Sequence, residues 1–261
     1  MDTQLIEELV DLTGKVAVVT GGATGIGQMV AFQFAAAGAA VVIADSNLEA
    51  AEHAVAEIKE RGGYAQAIAA DACSAQDARR VVWITEERVG SLDILVNASA
   101  TFSFSPALPR IEELWSRVLS VHVKGVYYYG DAAAQSMKAS GGGRILNIAS
   151  MDAMRPAARP VSDDVTESSV AIVSKALSIK YGPFGIHVNA LAPGLIRTPA
   201  AQMQMASLSK SAGRFVDPLE SNSQDRPVLH PTGGTNEILT AVLYLVSDAA
   251  QDVTGNLVVV E

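Results

Sequence analysis

Val16-Ala-Val-Val-Thr20 runs without interruption into Gly21-Gly-Ala-Thr-Gly-Ile-Gly27, and this stretch decides the fold. The first five residues are apolar or β-branched with no alternation, the mark of a strand covered on both faces. Glycines then allow a tight turn, and Gly25 to Ala37 reads as a helix closed by Gly38. A strand that enters a helix through such a turn leaves free N–H groups at the helix N-terminus, where they suit a pyrophosphate. The same turn also occurs as a plain structural connection, so the surrounding sequence has to discriminate.

Outward from it, strand-like runs alternate with helical ones. Ala40–Ile43 reads as the second strand, Asn47–Glu60 as a helix, Ala65–Ala69 as a strand and Ala75–Val89 as a helix. Leu92–Val96 is the fourth strand, and one long helix is expected over Ile111–Met137. Strand Arg144–Ala149, helix Asp164–Tyr181, strand His187–Leu191, helix Asn236–Leu245 and strand Asn256–Val260 complete the series. The fold class is therefore α/β: one Rossmann-type doubly wound domain over 1–261, with a mainly parallel seven-stranded sheet and helices on both faces. The stretch 200–231 loses periodicity and is too long for an ordinary connection, so a substrate lid is expected there.

A net charge of −9, with 19 basic residues scattered along the chain, argues against nucleic acid or an anionic membrane as partner. The acidic N-terminus lacks the basic flank and apolar core of an export signal, and no apolar run approaches membrane-spanning length. Cys73 is the single cysteine, so neither an intrachain disulfide nor a cysteine metal site is expected. The expectation is a cytoplasmic protein with a small-molecule substrate and no metal.

Asp45 ends the second strand, 24 residues beyond Gly21, where a carboxylate can accept hydrogen bonds from the adenosine ribose hydroxyls. Ser46 and Asn47 supply no cation for a 2′-phosphate, which favours NAD over NADP. The alternative is that Asp45 merely caps the following helix.

Taken together, these motifs resemble the short-chain dehydrogenase/reductase family over nearly the whole chain. The glycine turn matches its glycine motif, Asp71-Ala72 resembles the segment that meets the adenine, and Asn97-Ala-Ser-Ala100 is similar to its Asn-Asn-Ala-Gly motif. Val188-Asn-Ala-Leu-Ala-Pro-Gly194 followed by Thr198 looks like its Pro-Gly turn and nicotinamide-holding Thr. The resemblance implies an NAD groove formed by Gly21, Thr24, Gly25, Ile26, Gly27, Asp45, Asp71, Ala72, Asn97, Pro193, Gly194, Ile196 and Thr198. It also implies a homodimer or homotetramer built through the long helices.

The family's reaction site is where the match fails. There a Ser orients the substrate oxygen, a Tyr about 13 residues later exchanges its proton, and a Lys four residues beyond lowers the phenol pKa. Ser150 matches the Ser, but Asp163 and Glu167 fall at the Tyr and Lys positions, and His122 replaces a relay Asn. Counting back from Ala176–Asn189 gives the same placement. An ionised Asp cannot donate the proton that ketone reduction needs, although repulsion among Asp163, Asp164 and Glu167 can raise one of them. Alternatively, Asp163 caps its helix and the other acids form a solvated first turn.

Ser150, Asp163, Glu167 and His122 are thus the candidate catalytic residues, with Arg155 and Arg159 able to bind substrate or pair with the acids. Three readings follow: an enzyme of unconventional chemistry such as iminium reduction, cyclisation or isomerisation; an NAD-dependent alcohol dehydrogenase or carbonyl reductase with a substitute proton donor; and a catalytically silent NAD-binding partner.

Overall fold

The computed structural model describes residues 9–99, 111–150, 161–194 and 235–260, apart from the side chains at 111, 114, 161–164 and 167. β1 (Val16–Thr20) is buried at every position, and its neighbours show why. Ala17 and Val19 enter one apolar layer while Val18 enters the layer on the opposite face. Alternate side chains of a strand point to opposite faces, so a strand covered on both is apolar throughout.

One layer is built by α1 (Gly25–Ala36), α2 (Leu48–Glu60) and α7 (Thr235–Val246), which contribute Phe34, Ile58 and Leu245. The other layer is built by α3 (Ala75–Arg88), α5 (Val126–Ser140) and α6 (Val161–Tyr181), with Val81, Met137 and Leu177. Each such burial contributes roughly 1.5–3 kcal/mol. Exposed ion pairs such as Arg61–Glu57 contribute about 0–1 kcal/mol, so apolar layering and not charge pairing holds the fold.

The remaining strands are β2 (Ala40–Asp45), β3 (Tyr64–Ala69), β4 (Ile94–Asn97), β5 (Gly143–Ile148), β6 (Ile186–Pro193) and β7 (Leu257–Val260). They form a seven-stranded sheet in the order β3-β2-β1-β4-β5-β6-β7. Every pairing is parallel, so the expected "mainly parallel" sheet is wholly parallel. The order reverses between β1 and β4, and the crevice beyond the carboxyl ends of strands at such a switch point is where open α/β sheets bind ligands.

Two expectations are corrected. The long helix expected over Ile111–Met137 is α4 (Ile111–Leu119), a π-helical turn at Ser120–Gly125, and then α5. Gly125 sits so close to Ala72 that a Cβ there would lie within van der Waals overlap of the Ala72 carbonyl oxygen, which fixes the turn against the loop after β3. The helix expected from Asp164 starts instead at Val161. Asp163 therefore stands inside its first turn and is not the cap.

Candidate active site

Three glycines shape the crevice. Gly21 and Gly25 have φ of +64° and +62°, conformations that residues with a Cβ rarely adopt. A Cβ on Gly21 would meet Ser99 Cα at 2.7 Å, so the glycine turn lies directly on the Ala98-Ser99 segment after β4. Gly27 is packed against the Gly21 carbonyl with no room for a side chain. The result is a turn whose backbone is bare, at the N-terminus of α1, and these features fit a dinucleotide pyrophosphate. Thr24 precedes α1 and makes no side-chain cap bond there; Ile26 packs partly buried against the core.

Asp45 braces this turn. Its Oδ2 accepts from the Ala23 N–H at 3.1 Å and its Oδ1 from Asn47 N–H at 2.9 Å. It does not cap α2, because Asn47 does so, accepting from Ala50 N–H at 3.1 Å. Two carboxylate oxygens have about four acceptor sites, so two are left for ribose hydroxyls. Asp71 Oδ1 accepts from Cys73 N–H at 2.8 Å, which shapes the Asp71-Ala72 turn; Tyr129 donates to the Asp71 carbonyl at 3.2 Å.

A buried polar chain crosses the sheet just below the crevice. Thr20 Oγ1 donates to Asn97 Oδ1 (3.4 Å), Asn97 Nδ2 to Asn147 Oδ1 (2.8 Å), and Asn147 Nδ2 to the Ser174 hydroxyl (2.8 Å). All four side chains are buried. The chain ties β1, β4 and β5 to α6. Asn147→Leu strands both neighbours and is expected to destabilise the fold by about 2–3 kcal/mol, read as a drop in the urea midpoint with m unchanged. A loss below ~0.5 kcal/mol, the usual surface scale, would show the chain to be dispensable.

Ser150 follows β5 and is half-buried. His122 lies in the π turn, 6% exposed, with Nδ1 at 3.3 Å from the Oγ1 of fully buried Thr166 on α6. π turns inside helices occur often at functional sites. Position 163 is one turn before Thr166 and position 167 follows it, so the fold brings His122 to the helix that carries both acids. The side chains of Asp163, Asp164 and Glu167 lie outside the described residues, as do Ile196, Thr198, Arg155, Arg159 and the expected lid at 200–231. Pro193 ends β6, and Gly194 N–H donates to the Val260 carbonyl at 2.7 Å, which places the Pro-Gly turn beside β7. Among the described residues no cluster capable of holding a metal is found, and no helix is long and apolar enough to cross a membrane.

Tyr181, the nearest tyrosine downstream of Ser150, is committed elsewhere. Its hydroxyl donates to Asp131 Oδ1 at 2.5 Å and accepts from Gln135 Nε2 at 3.0 Å.

Burial pushes the His122 imidazolium down to about 4 from an ordinary 6.5. It is neutral at pH 7. The unfolded chain takes up a proton as pH falls below 6.5 while the folded chain does not, so stability is lost between pH 6.5 and about 4. The loss attributable to His122 is expected to be about 3 kcal/mol at the acid end. Urea titrations at pH 7 and pH 4.5 on the natural chain and His122→Asn check this: the variant loses less stability on acidification. Equal losses would show that burial does not suppress protonation.

The comparisons with known proteins agree with this architecture. Residues 21–261 match the family model described as enoyl-(acyl carrier protein) reductase. The 2,5-dichloro-2,5-cyclohexadiene-1,4-diol dehydrogenase LinX of Sphingobium indicum is 33% identical over 94% of this chain and 93% of its own. Cyclopentanol dehydrogenase of a Comamonas species is 31% identical over 95% of each. A 7α-hydroxysteroid dehydrogenase solved with NADH and 7-oxo glycochenodeoxycholic acid superposes with a TM-score of 0.85 at 30% identity, covering 100% of this chain and 96% of that one. The chain belongs to the short-chain dehydrogenase/reductase family.

As a short-chain dehydrogenase/reductase, it belongs to a family of oxidoreductases whose members bind nicotinamide cofactors. Two buried contacts near the candidate site were not singled out from sequence. Thr166 carried no signal, because one Thr inside a helical run has no periodicity of its own. Asn147 was visible in Arg144–Ser150, but its buried chain to Ser174 depends on a contact across 27 residues.

Proposed function

We propose that this chain is an NAD(H)-dependent oxidoreductase of small organic molecules whose proton-handling centre is replaced, and that it reduces a cationic carbon–nitrogen double bond. The observation that carries this reading is the neutral, buried His122 set against Thr166, one turn beyond the position of Asp163. Ketone reduction leaves an alkoxide that must be protonated. Iminium reduction does not: hydride adds to carbon, the C=N π pair becomes the nitrogen lone pair, and a neutral amine leaves.

The nicotinamide, when bound, supplies the hydride. The chain's own residues orient the substrate and favour its charge. His122 is a neutral imidazole at pH 7 and so a poor acid, whereas carboxylates at 163 and 167 are ordinarily anions that stabilise a cation. Ser150 offers a hydroxyl at the end of β5. Asp45 supports NAD over NADP, because its carboxylate repels a 2′-phosphate and neither Ser46 nor Asn47 compensates.

A second reading is favoured by the relatives. LinX and the cyclopentanol and hydroxysteroid dehydrogenases are named for ring alcohols. Here a ring alcohol would lose its hydroxyl proton to a substitute base. Calorimetry with NADH and NADPH, followed by nicotinamide absorbance with cyclic imines, ring ketones and ring alcohols, separates the two. The expected result is NADH binding at least about tenfold tighter than NADPH, with turnover of imines and not of ketones. Ring-alcohol turnover without imine turnover establishes the second reading. Binding with no turnover of either leaves a non-redox catalyst, such as a cyclase or isomerase, or a silent partner.

Assembly with a second copy is also part of this proposal. Val165, Ile172 and Ile179 repeat every seven residues along α6, and the two isoleucines are 71% and 69% exposed. Such a stripe faces a partner helix. Ile172→Glu with Ile179→Glu is expected to convert the oligomer to monomer in sedimentation velocity, and an unchanged sedimentation coefficient would place the interface elsewhere.

A further inference from the structure

We propose that Asp77 is a positioning residue for the dinucleotide: together with Arg80 it holds the Asp71-Ala72 turn where that turn receives the adenine, so a carboxylate behind the turn governs how tightly the adenosine half is bound. The inference rests on the NAD reading above and on the resemblance of Asp71-Ala72 to an adenine-meeting segment; the identity of the reduced bond does not enter it.

β3 is an edge strand, so it has one neighbour, and its pairing with β2 ends at Asp45 and Ala69. Ala70 N–H makes the last bond, to the Asp45 carbonyl at 2.9 Å. Asp71 N–H is therefore the first donor beyond the sheet, and a side chain takes it: Asp77 Oδ2 accepts at 2.9 Å. The other oxygen, Oδ1, accepts from Arg80 Nε at 3.1 Å and from Arg80 Nη2 at 2.8 Å, and the same Nη2 donates to the Ala69 carbonyl at 2.5 Å. One guanidinium fork thus grips both the end of the strand and the carboxylate that anchors the turn. The bond from Asp71 N–H is the largest influence on the Asp77 carboxyl and holds it below its ordinary value, which keeps it an anion at pH 7.

Asp77 stands in the first turn of α3, where an acid commonly reaches back to the N–H of the capping residue. Here it does not. Ser74 caps α3 by accepting from Asp77 N–H at 3.1 Å, and Ser74's own N–H goes to the Asp71 carbonyl at 3.1 Å. The Asp77 carboxylate reaches past the cap to the turn itself. α5 closes the opposite side, where Tyr129 donates to the Asp71 carbonyl at 3.2 Å and Gly125 abuts Ala72. Because Ala70 is tied to the Asp45 carbonyl, a shift of the turn is also felt at the residue implied for the ribose. Pro193 and Gly194, implied for the nicotinamide end, lie at the end of β6 and take no part in these bonds.

Calorimetry on the full chain with NADH, ADP-ribose and nicotinamide mononucleotide separates the two halves of the cofactor. In Asp77→Asn an amide replaces the carboxylate, and its amino group opposes a donor whichever way it turns, Asp71 N–H on one side or Arg80 on the other. The expected result is affinity for NADH and for ADP-ribose weaker by about tenfold each, with affinity for nicotinamide mononucleotide unchanged. Arg80→Gln, which leaves the Asp77 carboxylate on the turn, is expected to weaken the same two ligands by about threefold. An Asp77→Asn chain that binds all three ligands as the natural chain does overturns the proposal. So does one that loses all three equally, because a general loosening of the fold makes no distinction between the halves. Should Asp77→Asn fail to fold, Arg80→Gln decides by the same comparison. A natural chain that binds neither NADH nor ADP-ribose removes the NAD reading, and the proposal with it.

Discussion

Asp163→Tyr combined with Glu167→Lys is expected to raise ring-ketone reduction by about 10²–10⁴-fold, the usual contribution of a positioned general acid. The backbone is already suitable: both positions lie in the first turns of α6, four residues apart, so the new phenol and ammonium share one helix face. A Tyr hydroxyl near pKa 10 is brought toward neutrality by the Lys charge and can then donate to an alkoxide. The same double change removes the two anions proposed to stabilise an iminium, so imine turnover is expected to fall by about 10²-fold or more. Steady-state rates on a matched ring ketone and cyclic imine check both arms. If ketone reduction stays flat while NADH still binds, the positions have been misassigned. If the natural chain already reduces the ketone as fast as the variant, another group is the donor.

Gly27→Ala is expected to abolish measurable dinucleotide binding and to destabilise the fold by about 3 kcal/mol. The added Cβ would overlap the Gly21 carbonyl oxygen, and the atoms it meets next, Gly21 C and Gly22 Cα at 2.8 and 3.1 Å, are also backbone. No rotamer change relieves this. The turn has to open, and with it goes the Ala23 N–H bond to Asp45. Gly25→Ala makes the instructive contrast. A Cβ there meets nothing within 4 Å, and the penalty comes only from φ of +62°, about 1–2 kcal/mol. Thermal melts and calorimetry on both variants separate close approach from backbone strain. Normal NADH affinity in Gly27→Ala would show that the turn does not shape the groove.

The fold was legible because its strands are buried on both faces and so read as unbroken apolar runs, β1 and β2 most clearly. The glycine turn was legible for a related reason: close backbone approach and positive φ exclude side chains, and that exclusion is written in the residue type. Other features were hidden by their physics. A π turn has no residue-type signature of its own, so the run from Ile111 looked continuous although His122 stands where the helix is distorted. The start of α6 was misplaced because polar Ser162, Asp163 and Asp164 read equally well as a cap or as a first turn. Asp45 read as a ribose ligand or a helix cap from sequence, and only Asn47's bond to Ala50 assigned the cap. The contact between His122 and Thr166 joins residues 44 apart, a separation at which no local pattern operates.

The most direct test of the central claim follows hydride itself. The natural chain is incubated with C4-deuterated NADH and an equimolar pair of a cyclic imine and its ring-ketone counterpart, and both products are weighed by mass spectrometry. The account predicts one deuterium on the amine carbon and an unlabelled, unreduced ketone. Deuterium in the alcohol and none in the amine would contradict it, because a site able to protonate an alkoxide would then be at work where the sequence places Asp163 and Glu167.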